Sequence, residues 1–284
     1  MLKHRLFFGT VMSVFFCGLV VLDGWLDGSI TAATADDKSV QGTLLCVLIA
    51  LLMIPAQLEL SKLAAARNLQ ILAPVSTTGA ILMATSWYWP QCVGLSQGVY
   101  LALVCAFMLF GLLLYQYGKY GTSGVMGNCG ASCFAAVYLG LLSSFVLAVR
   151  IEYGFWPLLM LICVVKSADI GAYGIGSMFG RHKFSPRISP GKTWEGMAGA
   201  VAAAVAVAVI FAVSCDIMTW WLAVVFGFYF AFIGQMGDLA ESMIKRDAEQ
   251  KDSAKRVPGF GGILDIIDSP LVAAPFAYVF FMFA

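Results

Sequence analysis

The sequence predicts an all-α polytopic membrane protein with about nine transmembrane helices, its amino terminus cytoplasmic and its carboxyl terminus external. Three observations carry this expectation. Of 284 residues, 61% are hydrophobic and only 12% charged, with a mean hydropathy of +0.87, well outside the composition of soluble domains. The apolar residues gather in runs of roughly 20, the length a helix needs to cross hydrocarbon, without the dyad alternation of barrel strands. The basic residues, finally, sort onto one side of the connections between those runs.

The runs cover 5–22, 41–60, 69–88, 98–117, 131–150, 155–178, 195–214, 218–237 and 263–284. The first, in "MLKHRLFFGTVMSVFFCGLVVL", has the basic head and apolar body of a signal peptide. It is long enough to span, lacks a clean small-residue cleavage site and precedes an acidic loop, "DGWLDGSITAATADDKS", so it reads as a retained helix. The next spans offer mainly Leu, Ala, Val, Gly and aromatics, with Pro55, Pro74 and Pro90 as kink or end signals, and one connection, "PQCVGLSQG", has no charge. Residues 1–130 are therefore expected to pack and line lipid, and residues 131–284 to carry any chemistry. With the amino terminus inside, all of the 17 lysines and arginines except Lys38, Arg150 and Lys166 fall on the cytoplasmic side, most of them in the segments 179–194 and 238–262.

Several classes of function are excluded or unsupported. The eight cysteines form no C-x-x-C pair and read as small apolar packing residues rather than a disulfide framework or zinc site. No repeat, low-complexity segment or soluble domain is visible, and no nucleic-acid partner is expected. "GIGSMFG" has one residue too many for a dinucleotide fingerprint and lies in a membrane helix, and "PRISPGKT" has Pro186 where a phosphate-binding loop requires glycine. The small-residue run "GMAGAVAAAVAVAV" in 195–214 is compatible with a helix interface and so with a homodimer.

Chemistry is concentrated in two stretches. In "KSADIGAYGIGSMFGRHKFSPRISPGKTWEG", Lys166 and Asp169 stand at i, i+3 inside an apolar span, where they can face each other. Gly171, Gly174, Gly176 and Gly180 lighten the same helix, permitting either close helix contact or the approach of a polar ligand. The following loop holds Arg181, His182, Lys183, Arg187 and Lys192, and Ser189 before Pro190 has the form of a helix N-cap followed by proline, a setting for anions together with Glu195. His182 by itself reads as solvated. In "GQMGDLAESMIKRDAEQKDSAKRVPGFGGILDIIDSP", Asp238, Ser242 and Lys245 share one face if the helix continues past Gly237, and Asp265 and Asp268 share one face of the last helix. A carboxylate at a bilayer centre costs about 2.5 to 3.5 kcal/mol, so a pair of them calls for a counter-charge.

Three segments thus bring carboxylates to similar depth: Asp169, Asp238 and the Asp265/Asp268 pair. Hard oxygen ligands of this kind suit magnesium, and the interleaved lysines and arginines suit phosphates, which is the combination phosphoryl or nucleotidyl transfer requires.

These residues resemble the phosphatidate cytidylyltransferase (CDP-diacylglycerol synthase) family. Its signature runs S-x-x-K-R, four residues, K-D, then P-x-H-G-G-x-x-D-R-x-D, and this chain reads Ser242, Lys245, Arg246, Lys251, Asp252, Pro258, Gly261, Gly262, Asp265 and Asp268. "KSADIGAYGIGSMFG" and "ISPGKTWEG" resemble the family's other inner-face motifs, so the likeness runs from Lys166 to Asp268. Phe260 stands at the usual histidine and Ile266 at the usual arginine, which removes one base and one phosphate clamp.

The resemblance implies that CTP and phosphatidate react to CDP-diacylglycerol and pyrophosphate at the inner face of a bacterial cytoplasmic membrane, within membrane lipid. It implies Mg2+, with room for a second cation, on Asp238 and Asp265, with Asp268 and Asp169 as further ligands. Asp238, Asp265, Lys245 and Lys192 are then the expected catalytic group. Lys192, Lys245, Arg246 and Lys251 would hold CTP or pyrophosphate oxygens, Ser189 and Ser242 would bond phosphate or support a second cation, and Arg187 and Asp252 would complete substrate binding. The alternatives are a CTP-dependent polyprenol or lipid kinase, which would release no pyrophosphate, a transporter using Lys166 and Asp169 as a midplane path, and a silent scaffold suggested by Phe260 and Ile266.

Overall fold

The computed structural model of the chain describes residues 16–28, 40–251, 253 and 262–284. In chain order the helices are α1 (Phe16–Leu26), α2 (Thr43–Ala66), α3 (Ala73–Ala84), α4 (Trp89–Val93), α5 (Gln97–Tyr120), α6 (Val125–Ala136), a π turn (Val137–Leu141) continuing into α7 (Leu142–Glu152), α8 (Phe155–Phe179), α9 (Trp194–Cys215), α10 (Trp220–Asp247) and α11 (Leu264–Phe283). Among the described residues the one extended pairing is an isolated bridge between Lys183 and Thr193. Among the described residues, seven helical stretches are long and apolar enough to cross a membrane: α2, α5, Val125–Glu152, α8, α9, α10 and α11. The fold is that of an integral membrane protein, and each of the nine expected runs overlaps a described helix.

Three boundaries differ from expectation for identifiable reasons. The run 69–88 yields only α3, because Pro74 opens the helix at Ala73 and the Thr85 hydroxyl donates back to the Ile81 carbonyl (2.8 Å) where it ends. The described part of the first run continues to Leu26, past the expected end at 22, because Asp23 and Asp27 are buried against Arg150 rather than left in a loop. The eighth run extends beyond Gly237 to Asp247, so the first ten residues of the expected 238–262 connection are helical.

The core is built on α8, whose residues Leu158, Met160, Val164, Val165 and Ala168 are fully buried. Gly171 of α8 lies against the Gly199 carbonyl of α9, and Gly199 in turn against Gly171 and Ile175, so a side chain at either position would force the helices apart. The small face of α9 (Gly196, Gly199, Ala200, Ala204, Ala208 and Ala212) is thereby buried within this one chain, and it is not free for a second copy. Gly174 has open space around it. Phe226 and Phe230 of α10 stack at 4.1 Å and meet Phe280 and Phe281 of α11, closing the end of the bundle away from the carboxylates. Phe107 and Phe110 on α5 and Val213 on α9 are among the exposed large apolar residues, as a lipid-facing surface requires.

The π turn inserts one extra residue into the Val125–Glu152 span. Gly140 within it packs directly on the Ala80 backbone of α3.

Candidate active site

The site forms where α8, the 180–193 loop, α10 and α11 meet. Lys166 of α8 lies 3.8 Å from Asp169 and donates to the Ile266 carbonyl of α11 at 2.9 Å. Asp169 also accepts from the Gln235 amide of α10 (3.2 Å). The loop after α8 doubles back on itself: the Phe184 amide donates to the Lys192 carbonyl and the Trp194 amide to the His182 carbonyl. This fold-back delivers Lys192, which reaches Asp238 (2.7 Å) and the Gln235 carbonyl (3.0 Å) on α10.

Helix α11 can approach α10 here because position 237 is glycine. A Cβ at Gly237 would stand 2.9 Å from the Asp268 carbonyl oxygen and 3.0 Å from the Ser269 Cα. Close packing at that point brings Asp268 beside Asp238 and Glu241, one carboxylate oxygen from each falling within 4.8 Å of the others. Glu241 and Asp268 are buried and Asp238 is half-exposed. Glu241 Oε1 is buried without a hydrogen-bond partner among the described residues, which is costly for a carboxylate unless something cationic joins it. Its other oxygen pairs with Lys245, which also pairs with Asp265. Asp265 Oδ2 accepts from the Ser253 hydroxyl and the Gly262 amide, both at 2.7 Å.

The structure therefore brings together Lys166, Asp169, Lys192, Asp238, Lys245, Asp265 and Asp268 from the expected set. Asp265, expected to share a cation with Asp238, is held by Lys245, Ser253 and Gly262, and Glu241 takes the place beside Asp238. Ser242 is buried on α10 one turn beyond Asp238.

Other expectations are corrected. Ser189 does not cap α9: the helix starts four residues later with Thr193 as N-cap, its hydroxyl accepting from the Gly196 amide at 3.1 Å, while the Ser189 amide donates to the Ser185 carbonyl in a turn. The reason is local, since Lys183 pairs with Thr193 and holds the intervening residues out of the helix. Glu195 is not turned toward an anion; it accepts from the Arg181 and His182 amides and contacts His182 Nδ1 at 2.6 Å, so His182 is paired rather than merely solvated. Arg246, expected to hold CTP or pyrophosphate oxygens, donates to the Ile188 carbonyl at 3.1 Å and ties the loop to α10. Arg187 and Lys251 are exposed, and Asp252 and Phe260 lie outside the described residues. Ile266 is buried and contributes its carbonyl to Lys166.

Sequence reasoning passed over Glu241, Gln235 and Glu59. The i, i+4 spacing of Glu241 and Lys245 was a usable signal. So was the presence of Glu59 as the lone acid in the apolar run of α2, where it is fully buried.

As a chemical environment the site holds more carboxylates than ammonium groups. Among the described residues, Asp169, Asp238, Glu241, Asp265 and Asp268 are grouped with Lys166, Lys192 and Lys245. An all-oxygen donor set with one buried oxygen unpartnered fits a hard divalent cation, and the group can hold a metal.

The profile of the Cytidylyltransferase family matches residues 3–284. A phosphatidate cytidylyltransferase of Brucella suis is 35% identical over 200 residues, covering 68% of this chain and 72% of that protein. One from Bacillus subtilis is 37% identical over 152 residues, covering 52% and 56%. One from Mycobacterium bovis is 36% identical over 156 residues, covering 54% and 51%, so the chain spans about half the length of this relative and of its Mycobacterium tuberculosis counterpart.

Proposed function

This chain belongs to the cytidylyltransferase family, and from that premise we propose that it joins CTP to phosphatidate, forming CDP-diacylglycerol and pyrophosphate. The observation that carries the reading is the Asp238, Glu241 and Asp268 cluster with Lys192 and Lys245 bonded to two of its members. Acids alone would suit a cation. Acids with lysines held beside them suit a cation together with phosphates. The abundance of basic residues around the site supports a cytoplasmic location, with the amino terminus inside and the membrane that of a bacterial cell. Residues 131–284 supply most of the machinery and residues 1–130 chiefly pack and line lipid.

The phosphate of phosphatidate is already anionic and needs no general base. One of its oxygens attacks the α-phosphorus of CTP; the new P–O bond forms as the bond to the bridging oxygen breaks, and pyrophosphate leaves with the electron pair. Magnesium held by Asp238, Glu241 and Asp268, with Asp169 and Asp265 near a second cation, would lower the repulsion between the two anions and neutralise charge on the leaving group. Lys192 is poised for the triphosphate because the loop fold-back fixes its backbone while its ammonium rests on Asp238 and the Gln235 carbonyl. Lys245, clamped between Glu241 and Asp265, keeps those two acids at fixed separation and offers its charge to phosphoryl oxygens. Lys166 holds α11 through the Ile266 carbonyl and orients Asp169. Ser242, Arg187, Lys251 and Asp252 would serve as further substrate contacts.

The test is turnover of labelled CTP with phosphatidate and magnesium by the detergent-purified protein. CDP-lipid and pyrophosphate should appear in equal amounts, and Asp238→Asn should lower the rate by about a hundredfold or more while leaving the protein folded. Transfer of label from the γ-phosphate to lipid would replace this reading with that of a kinase, and no reaction with either substrate pair would end it.

A further inference from the structure

Glu59 is buried in the middle of an apolar helix, and among the described residues no lysine or arginine forms an ion pair with it. Both of its oxygens are nevertheless engaged. Oε1 accepts from the Ile263 amide (3.1 Å), and Oε2 accepts from the Leu264 amide (3.0 Å) and lies 3.0 Å from the Ser253 hydroxyl. Ile263 and Leu264 open α11, and the residue at the N-cap position, Ile263, has no side chain able to accept from the amides beyond it. Exposed amides at a helix start are ordinarily satisfied by a Ser, Thr, Asp or Asn in the same turn. Here the acceptor comes from α2, and the positive end of α11 is its counter-charge.

The connection continues into the site. The Ser253 hydroxyl stands between Glu59 and Asp265 Oδ2, the Gly262 amide donates to that same Asp265 oxygen, and Asp265 Oδ1 holds Lys245, which holds Glu241. Gly262 is enclosed by the Glu59 carboxylate and the Ser253 hydroxyl, so no larger residue fits without displacing one of them. We propose that Glu59 is a positioning residue: a helix cap supplied from a distant part of the chain, which fixes the depth and rotation of α11 and so aligns Asp265 and Asp268 with Lys245, Asp238 and Glu241. Helix α2 then contributes to the alignment of the site in addition to its packing role. The inference rests on the cytidylyltransferase reading for its turnover assay and is independent of it for its binding assay.

Glu59→Gln keeps the volume but turns an amide NH2 toward backbone donors. The expected result is a kcat lower by about ten- to a hundredfold with KM for CTP and phosphatidate within about threefold, and Mn2+ binding to the substrate-free protein, titrated by electron paramagnetic resonance, weaker by about tenfold. Glu59→Asp, which retains the charge at shorter reach, should recover part of both. Ser253→Ala removes only the link to Asp265 and should shift both in the same direction by less, which keeps the test decisive should Glu59→Gln fail to fold. Wild-type kcat and Mn2+ affinity in a folded Glu59→Gln protein, or in Ser253→Ala when Glu59→Gln does not fold, would reduce Glu59 to a packing role and overturn the proposal. If the unaltered protein makes no CDP-lipid, the functional reading fails, while the Mn2+ titrations still decide the role of Glu59.

Discussion

Two buried charge clusters stand at opposite ends of this bundle, and they are built on different principles. At one end Arg150, fully buried on α7, is bound by Asp23 and Asp27 of the α1 region. Asp23 also accepts from the Leu44 and Leu45 amides, and Asp27 from the Gly42 amide, so the start of α2 adds its partial positive charge. Among the described residues, two acids, one guanidinium and one helix end come close to neutrality. At the other end, roughly 22 Å along α2 from Leu44 to Glu59, the acids outnumber the lysines among the described residues, and one oxygen of Glu241 has no partner there. A cluster that balances its own charge is a fastening. One left with surplus negative charge is built to receive cations, and the contrast separates structure from function in residues of the same chemical type.

The largest effect on stability is expected at the balanced cluster. Arg150→Met would strand Asp23 and Asp27 and lower stability by about 3–5 kcal/mol, measured by denaturant unfolding in detergent, with the turnover of the remaining folded protein unchanged. Neutralising both acids together with Arg150 should restore most of that loss; failure to do so would show that the cluster has a role beyond fastening. At the surplus cluster the dependence is on ions. Removing divalent cations with a chelator should lower the unfolding midpoint, and magnesium at a hundred times its dissociation constant should contribute about 2.7 kcal/mol. The Arg150 variant should show the same ion-dependent increment, whereas Asp268→Asn should show little of it. The smallest of these effects is expected where packing joins the two acid-bearing helices. Gly237→Ala should cost about 1–3 kcal/mol and slow turnover by displacing Asp268 from Asp238, with stability and rate falling together.

Much of the architecture was legible because hydrocarbon imposes length and composition on each span, and a run such as 155–178 meets both conditions without help from its neighbours. Lys166 with Asp169 was legible on the same physical ground: opposite charges at i, i+3 in an apolar helix lower their insertion cost by facing each other. What sequence could not supply was the outcome of helix docking. Which of Asp238, Glu241 and Asp265 share a space depends on how closely α11 approaches Gly237, and that approach is set by contacts between segments about thirty residues apart. Ser189 failed as a cap because the pairing of Lys183 with Thr193 is a property of the folded loop, not of the Ser-Pro dipeptide. Glu59 was missed for a different reason. The rule applied to Asp265 and Asp268, that an acid in an apolar run must have a partner, applied to it equally.

The π turn at Val137–Leu141 has one more consequence. An added residue acts as a phase shift of about 100° along the helix, so the two halves of a single span look toward different neighbours: Asn128 and Ser132 of the first half receive the Gln70 and Leu72 amides, and Arg150 of the second meets Asp23 and Asp27. Excising one residue there would leave composition and hydropathy almost untouched yet swing Arg150 away from both of its acids, a lesion invisible to any reading of the span by length and apolarity.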